Sequence, residues 1–161
     1  MGENTNEAAE LFGQAKVLLD AEKFNEALAK YEVLLGLEPG HVDGWIDKGF
    51  ALWRMARNEE ALVCFEAALA LDPENAVAWL NKGNALSGLG RQAEVLGCYE
   101  RALEIDSSLA RAWYNRGDEL GRQSRIIEAR ACFENAYNLG LLPAKRMIDQ
   151  CDQILMNEWY G

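Results

Sequence analysis

Trp45, Trp79 and Trp113 open three related stretches, WIDKGFALWRMA, WLNKGNALSGLG and WYNRGDELGRQS, and the interval between them is 34 residues both times. A fixed period of this length means that one supersecondary unit is built repeatedly, each copy burying its apolar face against its neighbours. Aligned on the period, Leu11 precedes the three tryptophans, and a small column follows at Ala15, Gly49, Gly83 and Gly117. Further columns run Leu18, Leu52, Leu86, Leu120; Ala27, Ala61, Val95, Ala129; Tyr31, Phe65, Tyr99, Phe133; and Leu34, Ala68, Ala102, Ala136. Pro39 and Pro73 close the unit, with Ser107 and Leu141 departing. Four copies fit, at residues 8–41, 42–75, 76–109 and 110–143, between a polar tail at 1–7 and a segment at 144–161.

Each copy reads as two helices. In the third, Trp79, Gly83 and Leu86 fall at i, i+4 and i+7 on one helix face, and LGR at 89–91 supplies a glycine stop. Val95, Tyr99, Ala102 and Leu103 form the stripe of a second helix, which ends near EIDSSL, the counterpart of ALDPEN one repeat earlier. Proline there cannot continue a helix but suits the first turn of the next. A residue without a side chain in the glycine column lets two helices approach closely, leaving room for the facing Tyr or Phe. In the last segment Met147, Ile148, Cys151, Ile154 and Leu155 make an apolar stripe against a polar face, as expected of a helix that closes an open array. Trp159 and Tyr160 in the terminal EWYG fold back on that cap or serve a partner.

The succession Trp, Gly, Leu, Ala, aromatic, Ala, Pro on a 34-residue helix-turn-helix unit resembles the tetratricopeptide repeat. The resemblance covers nearly the whole chain; the first copy departs from it in lacking the tryptophan and in carrying Leu34 where a small residue is usual. It implies an all-α fold, a right-handed α-solenoid of four helix-turn-helix repeats plus a C-terminal capping helix, with first helices lining a concave surface. It implies no activity.

Composition narrows the function. Half of the residues are hydrophobic and 26% are charged, as in a globular chain. The formal charge of −10 disfavours nucleic acid, which is bound through basic stripes. No run is long enough to cross a bilayer, MGENTNEAAE lacks the basic-then-apolar order of a signal peptide, and Asn6 spoils a myristoylation pattern. A soluble, cytoplasmic protein without membrane attachment is the expectation. Cys64, Cys98 and Cys132 also recur at the repeat interval. Helices stacked ~8–10 Å apart keep such residues too distant for disulfides or a shared zinc, so they are expected as small buried hydrophobes. His41, the only histidine, sits in an inter-repeat turn with no nucleophile nearby. No base, nucleophile, phosphate loop or metal cluster emerges, so neither catalysis nor a cofactor is expected.

Because the repeat signature is structural, binding residues are sought where it leaves positions free. At about 100° per residue, the first-helix face opposite Trp79, Gly83 and Leu86 carries Val77, Asn81, Asn84 and Gly88. The equivalent sets are Ala9, Gly13, Lys16, Asp20; Asp43, Asp47, Phe50, Arg54; and Arg111, Asn115, Asp118, Arg122. Basic and acidic residues nearly balance on this face, although the chain is strongly acidic. Asn81 and Asn115 share one register, with Asn84 a turn from Asn81, and a carboxamide can both donate to and accept from the backbone of an extended peptide. A similar asparagine ladder occurs in the repeat region of the O-linked N-acetylglucosamine transferase; here Asp47 interrupts the row. The family's set for chaperone C-terminal carboxylates maps onto Ile46, Phe50, Asn81, Arg111 and Asn115, of which only Asn81 and Arg111 fit. That ligand is not expected.

Phe50, Asn81, Asn84, Arg111 and Asn115 are thus the candidate contacts of a peptide-binding groove, Phe50 as apolar anchor. Lys48, Lys82 and Arg116, each before the repeat glycine, read as stems lying over the apolar face with solvated heads. The expected function is that of an adaptor holding a peptide or helix of another protein. The alternative is a self-assembling structural protein whose groove or C-terminal end receives a second copy.

Overall fold

The chain alternates helix and tight turn throughout. The computed structural model describes residues 2–160, with side chains at 6–157, and among these residues the elements are nine α-helices and no strand. They run α1 Gly2–Asp20, α2 Phe24–Leu37, α3 Val42–Arg54, α4 Asn58–Leu71, α5 Ala76–Gly88, α6 Gln92–Ile105, α7 Ala110–Arg122, α8 Ile126–Asn138 and α9 Ala144–Tyr160. Residues 1–90 and 91–161 form two compact units. In the first, successive helices α1 to α5 pack on one another and α3 also touches α1 and α5; in the second, α6 to α9 pack in sequence.

The repeated columns are the core. Ala27, Ala61, Val95 and Ala129 are fully buried, as are Leu34, Ala68, Ala102 and Ala136, while Tyr31, Phe65, Tyr99 and Phe133 fill the space beside them. The glycine column works as its spacing implies: a Cβ on Gly49 would stand 2.6 Å from Cε1 of Phe65, and one on Gly117 would stand 2.9 Å from Cε1 of Phe133. The tryptophan column has a polar duty. The indole N–H of Trp45 donates to the carbonyl of Pro39 at 2.9 Å, that of Trp79 to Pro73 at 2.8 Å and that of Trp113 to Ser107 at 2.9 Å. Ser107 departs from the proline pattern, yet its carbonyl occupies the same post.

Turns within the helix pairs share one geometry. Glu22, Ala56, Gly90 and Ser124 stand at equivalent positions, all with left-handed φ, at 56°, 57°, 70° and 58°. Around Ala56 its own N–H donates to Trp53 O at 2.9 Å and that of Arg57 to Leu52 O at 2.9 Å, the doubled closure of a Schellman motif. Ser124 and Arg125 repeat it onto Gly121 and Leu120. The glycine visible in the third copy is therefore one instance of a turn that three other residues also adopt.

One feature differs from the sequence reading and another adds to it. The polar start is helical backbone from Gly2 onward, continuous with α1, and Ala8 is already buried. Glu7, Ala8, Ala9 and Glu10 are good helix formers with no Gly or Pro among them, so nothing ends the helix at residue 7. His41 caps α3: its Nδ1 accepts the N–H of Gly44 at 3.0 Å, the role that Asn75 plays for Ala78 at the start of α5. The first half of the closing helix packs as its stripe implies, with Ile148 and Cys151, and Ala144 before them, joining Leu120, Cys132 and Phe133 in one cluster against which Met147 packs; further along, Ile154 is exposed, because that cluster ends at Cys151. Trp159 and Tyr160 lie outside the residues whose side chains are described. All four cysteines are free and buried.

Candidate functional site

The five candidate contacts come from α3, α5 and α7. Phe50, Asn81 and Asn84 belong to residues 1–90, Arg111 and Asn115 to residues 91–161, and each set is described within its own unit. Each lies on the side of its helix that the repeat columns leave open, because glycine, leucine and alanine turn the opposite side inward: Gly44, Gly49 and Leu52 in α3, Ala78, Gly83 and Leu86 in α5, Ala112, Gly117 and Leu120 in α7.

Phe50 is half-buried rather than open to solvent. Its ring lies 5.7 Å from that of Trp53, and the Arg54 guanidinium stands 5.9 Å from its centroid and 5.1 Å from that of Phe24. Arg54 is itself fixed, with Nη2 donating to Oε1 of Glu22 at 2.6 Å. Phe50 is thus a pre-positioned ring with one side covered, and ordering it on binding costs less rotamer entropy than ordering a free side chain.

The amides divide. Asn84 and Asn115 are engaged within the chain. Asn81 is half-buried and makes no side-chain hydrogen bond among the described residues. At the same register in α3 stands Asp47, whose Oδ2 accepts the Tyr31 hydroxyl at 3.3 Å. The aromatic column accounts for this difference, because the position 16 residues before Asn81, where Tyr31 stands before Asp47, is Phe65, which has no hydroxyl. The alternation of Tyr and Phe was the sequence signal for this contact. Burial pushes the Asp47 carboxyl up, as do the charges of Asp43 and Asp20, against the opposing pull of Lys16 and the Tyr31 bond. Tyr31 is raised too, first by burial and then by Asp47.

Arg111 is exposed and forms no ion pair among the described residues. Arg122, further along α7, pairs with Asp118 and with Glu119, to which Nη1 donates at 2.8 Å. Glu119 is 1% exposed, and it occupies the column where Ala51 and Ala85 are fully buried. Gln123 completes its coordination with an Nε2 donor at 3.0 Å.

The basic residues before the glycines are more constrained than solvated heads. Lys48 pairs with Glu32 at 3.8 Å, Lys82 with Glu66 at 3.1 Å and Arg116 with Glu100 at 3.0 Å, each reaching the second helix of the preceding repeat. Two of them also reach aromatic rings: the ammonium groups of Lys48 and Lys82 lie 5.8 and 5.6 Å from the centroids of Trp45 and Trp79. They fasten repeats together and are spoken for.

Helix pairs with a recurring tryptophan hook, glycine-aromatic contact and cross-repeat ion pair define an all-α helical-repeat protein. The chain belongs to the tetratricopeptide-repeat family: a "TPR repeat" profile matches residues 57–90 and a "Tetratricopeptide repeat" profile matches 76–109 and 110–139, together just over half of the chain. No curated protein sequence gives a significant match. Among solved structures the fold is similar to YrrB, described as a TPR protein with an unusual peptide-binding site, at TM-score 0.75 and 22% identity over 97% of this chain and 81% of that one. It is also similar to TTC0263, a thermophilic TPR protein in Thermus thermophilus, at TM-score 0.80 and 14% identity over 92% and 82%. A third similar structure is the first TPR of Spaghetti (RPAP3) bound to the HSP90 peptide SRMEEVD, at 0.68 and 21% over 71% and 93%. At these identities the likeness concerns the fold. Among the described residues no helix is long and apolar enough to cross a membrane.

Proposed function

We propose that the protein is a non-catalytic interaction scaffold whose first-helix faces hold a peptide or helix of another protein. The observation that carries this reading is the state of α3 and α5. Their inward sides are consumed by repeat packing, while the open side keeps a partly exposed Phe50 ring and an Asn81 carboxamide with no hydrogen-bond partner among the described residues. An apolar anchor on one helix and an unsatisfied donor-acceptor pair on another that touches it suit the docking of an extended backbone. Arg111 and Asn115 are the corresponding contacts proposed for α7. That YrrB is described as having a peptide-binding site, and that the RPAP3 repeat holds a peptide, supports the class of ligand.

A partner captured from its source is to be titrated against Phe50→Ala and Asn81→Ala. Phe50→Ala should weaken binding by ~1–3 kcal/mol if the ring is a central contact, with helical content unchanged. Unchanged affinity in both variants rules this face out. A second reading, self-assembly through the C-terminal end, is favoured by Ile127, Ile154 and Met156, which are 72, 42 and 62% exposed on α8 and α9. Particle size that grows with concentration, and stops growing when Ile127 and Met156 become serine, would establish it.

A further inference from the structure

We propose that the face formed by α1, α3 and α5 in residues 1–90 takes a basic partner, an extended segment carrying Lys or Arg beside an apolar side chain. This rests on the peptide-binding reading above and names the chemistry of the occupant. By sequence, Lys16 and Arg54 go far toward balancing Asp20, Asp43 and Asp47 on this face. The structure withdraws Arg54 from that balance, because Glu22, in the turn after α1, holds its guanidinium at 2.6 Å. What remains is three carboxylates against the single ammonium of Lys16, itself drawn over the Phe12 ring at 5.5 Å. The α5 part of the face, Val77, Asn81, Asn84 and Gly88, adds no charge.

The acidic groups are also placed to be used. Asp20 and Asp43 are exposed and make no ion pair among the described residues. The charges of both act on half-buried Asp47, and the helices that carry the three carboxylates, α1 and α3, are in contact. Asp47 accepts one hydroxyl, from Tyr31, and a carboxylate has further lone pairs for a second donor. Phe50 lies one helical turn beyond Asp47, so a cation meeting Asp47 brings its neighbouring apolar side chain to the ring. An acidic segment would meet like charge at each of these positions, so this face selects by attraction and by repulsion together.

The test uses two fluorescein-labelled, end-blocked peptides that differ only in charge: one of Arg and Leu on serine spacers, the other with Glu for each Arg. Fluorescence anisotropy against the full chain should show the basic probe binding more tightly by about fivefold or more, with a gap that closes as salt is added. Asp20→Asn with Asp43→Asn should remove most of the preference. Glu7→Gln with Glu59→Gln deletes the same charge from exposed positions off this face and should keep it. Equal losses in the two double variants would trace the preference to overall charge and overturn the inference. Equal binding of both probes, weakened by Phe50→Ala, would overturn it while leaving the groove reading standing. Binding of neither probe, or binding indifferent to both Phe50→Ala and the aspartate variant, would overturn the two together. Circular dichroism of every variant separates loss of binding from loss of fold.

Discussion

The helix pairs α3–α4 and α7–α8 are built from the same parts and present different surfaces. In each, an indole N–H closes the preceding turn, a glycine admits a phenylalanine, and a basic residue reaches back to a glutamate. Each second helix starts with an arginine forked onto a glutamate, Arg57 with Glu60 and Arg125 with Glu128. On the open side only the last position agrees, as Arg54 and Arg122; before it Asp43, Asp47 and Phe50 stand in α3 where Arg111, Asn115 and Asp118 stand in α7. Inside, Ala51 of α3 is matched by buried Glu119 of α7. Most positions that hold the pair together are repeated, and most of the open positions proposed as contacts are not, so comparing the protein with itself sorts many residues into the two kinds.

The comparison can be broken from several sides. The largest effect is expected from deleting 144–161, which strips Ala144, Ile148 and Cys151 from the cluster around Phe133 and uncovers α8. Size-exclusion chromatography and circular dichroism should show aggregation or helix loss beyond α9 itself; a monomer with an unchanged melting temperature would deny α9 its closing role. Next come Gly49→Ala and Gly117→Ala. Overpacking of ~1–3 kcal/mol outweighs the helix propensity gain of up to ~1 kcal/mol, so both should destabilise in urea titrations. Gly117→Ala should cost more, since its Cβ would also stand 3.1 Å from the backbone oxygen of Ala129, which cannot swing aside. If one pair tolerates alanine, the two are not equivalent.

Trp45→Phe and Trp113→Phe should then each cost about 0.5–1.5 kcal/mol for the lost indole bond, in similar amounts although the acceptor carbonyl belongs to Pro39 in one case and Ser107 in the other. Smallest, and of opposite sign, are Ala56→Gly and Ser124→Gly. Relief of a left-handed conformation exceeds the added entropy of an unfolded glycine, leaving a gain of roughly 0.5–1 kcal/mol in thermal melts. A loss at either site would mean that its side chain contributes contacts that outweigh the backbone cost.

Nearly all of the packing was legible in the sequence, because a column that recurs, as Ala27, Ala61, Val95 and Ala129 do, is subject to the same requirement four times over. Within the helix pairs turn geometry was legible only at Gly90, where residue type betrays the backbone; Glu22, Ala56 and Ser124 adopt a similar φ through hydrogen bonds that leave no trace in composition. The open face was half legible. Helical periodicity placed Phe50 and Asn81 on it, but pairing between elements decides what such residues have left to offer. Glu22 lies outside the face positions of the repeat, so the neutralisation of Arg54, and with it the acidity of the α1–α3 face, could not be counted from face residues alone. Likewise the Tyr31–Asp47 contact depends on an aromatic hydroxyl 16 residues away.

The tryptophan hooks also make the molecule its own instrument. Three indole protons, at Trp45, Trp79 and Trp113, are bound in the same way to a carbonyl six residues back, one to each of three successive repeats. Each should give its own proton resonance, and each should exchange with solvent faster when its own hook opens. In a stack whose units contact only their neighbours, opening need not be concerted. Exchange rates followed at the three sites would therefore show whether the hooks open in one event or separately and, for Trp45 and Trp79 within residues 1–90, in which order.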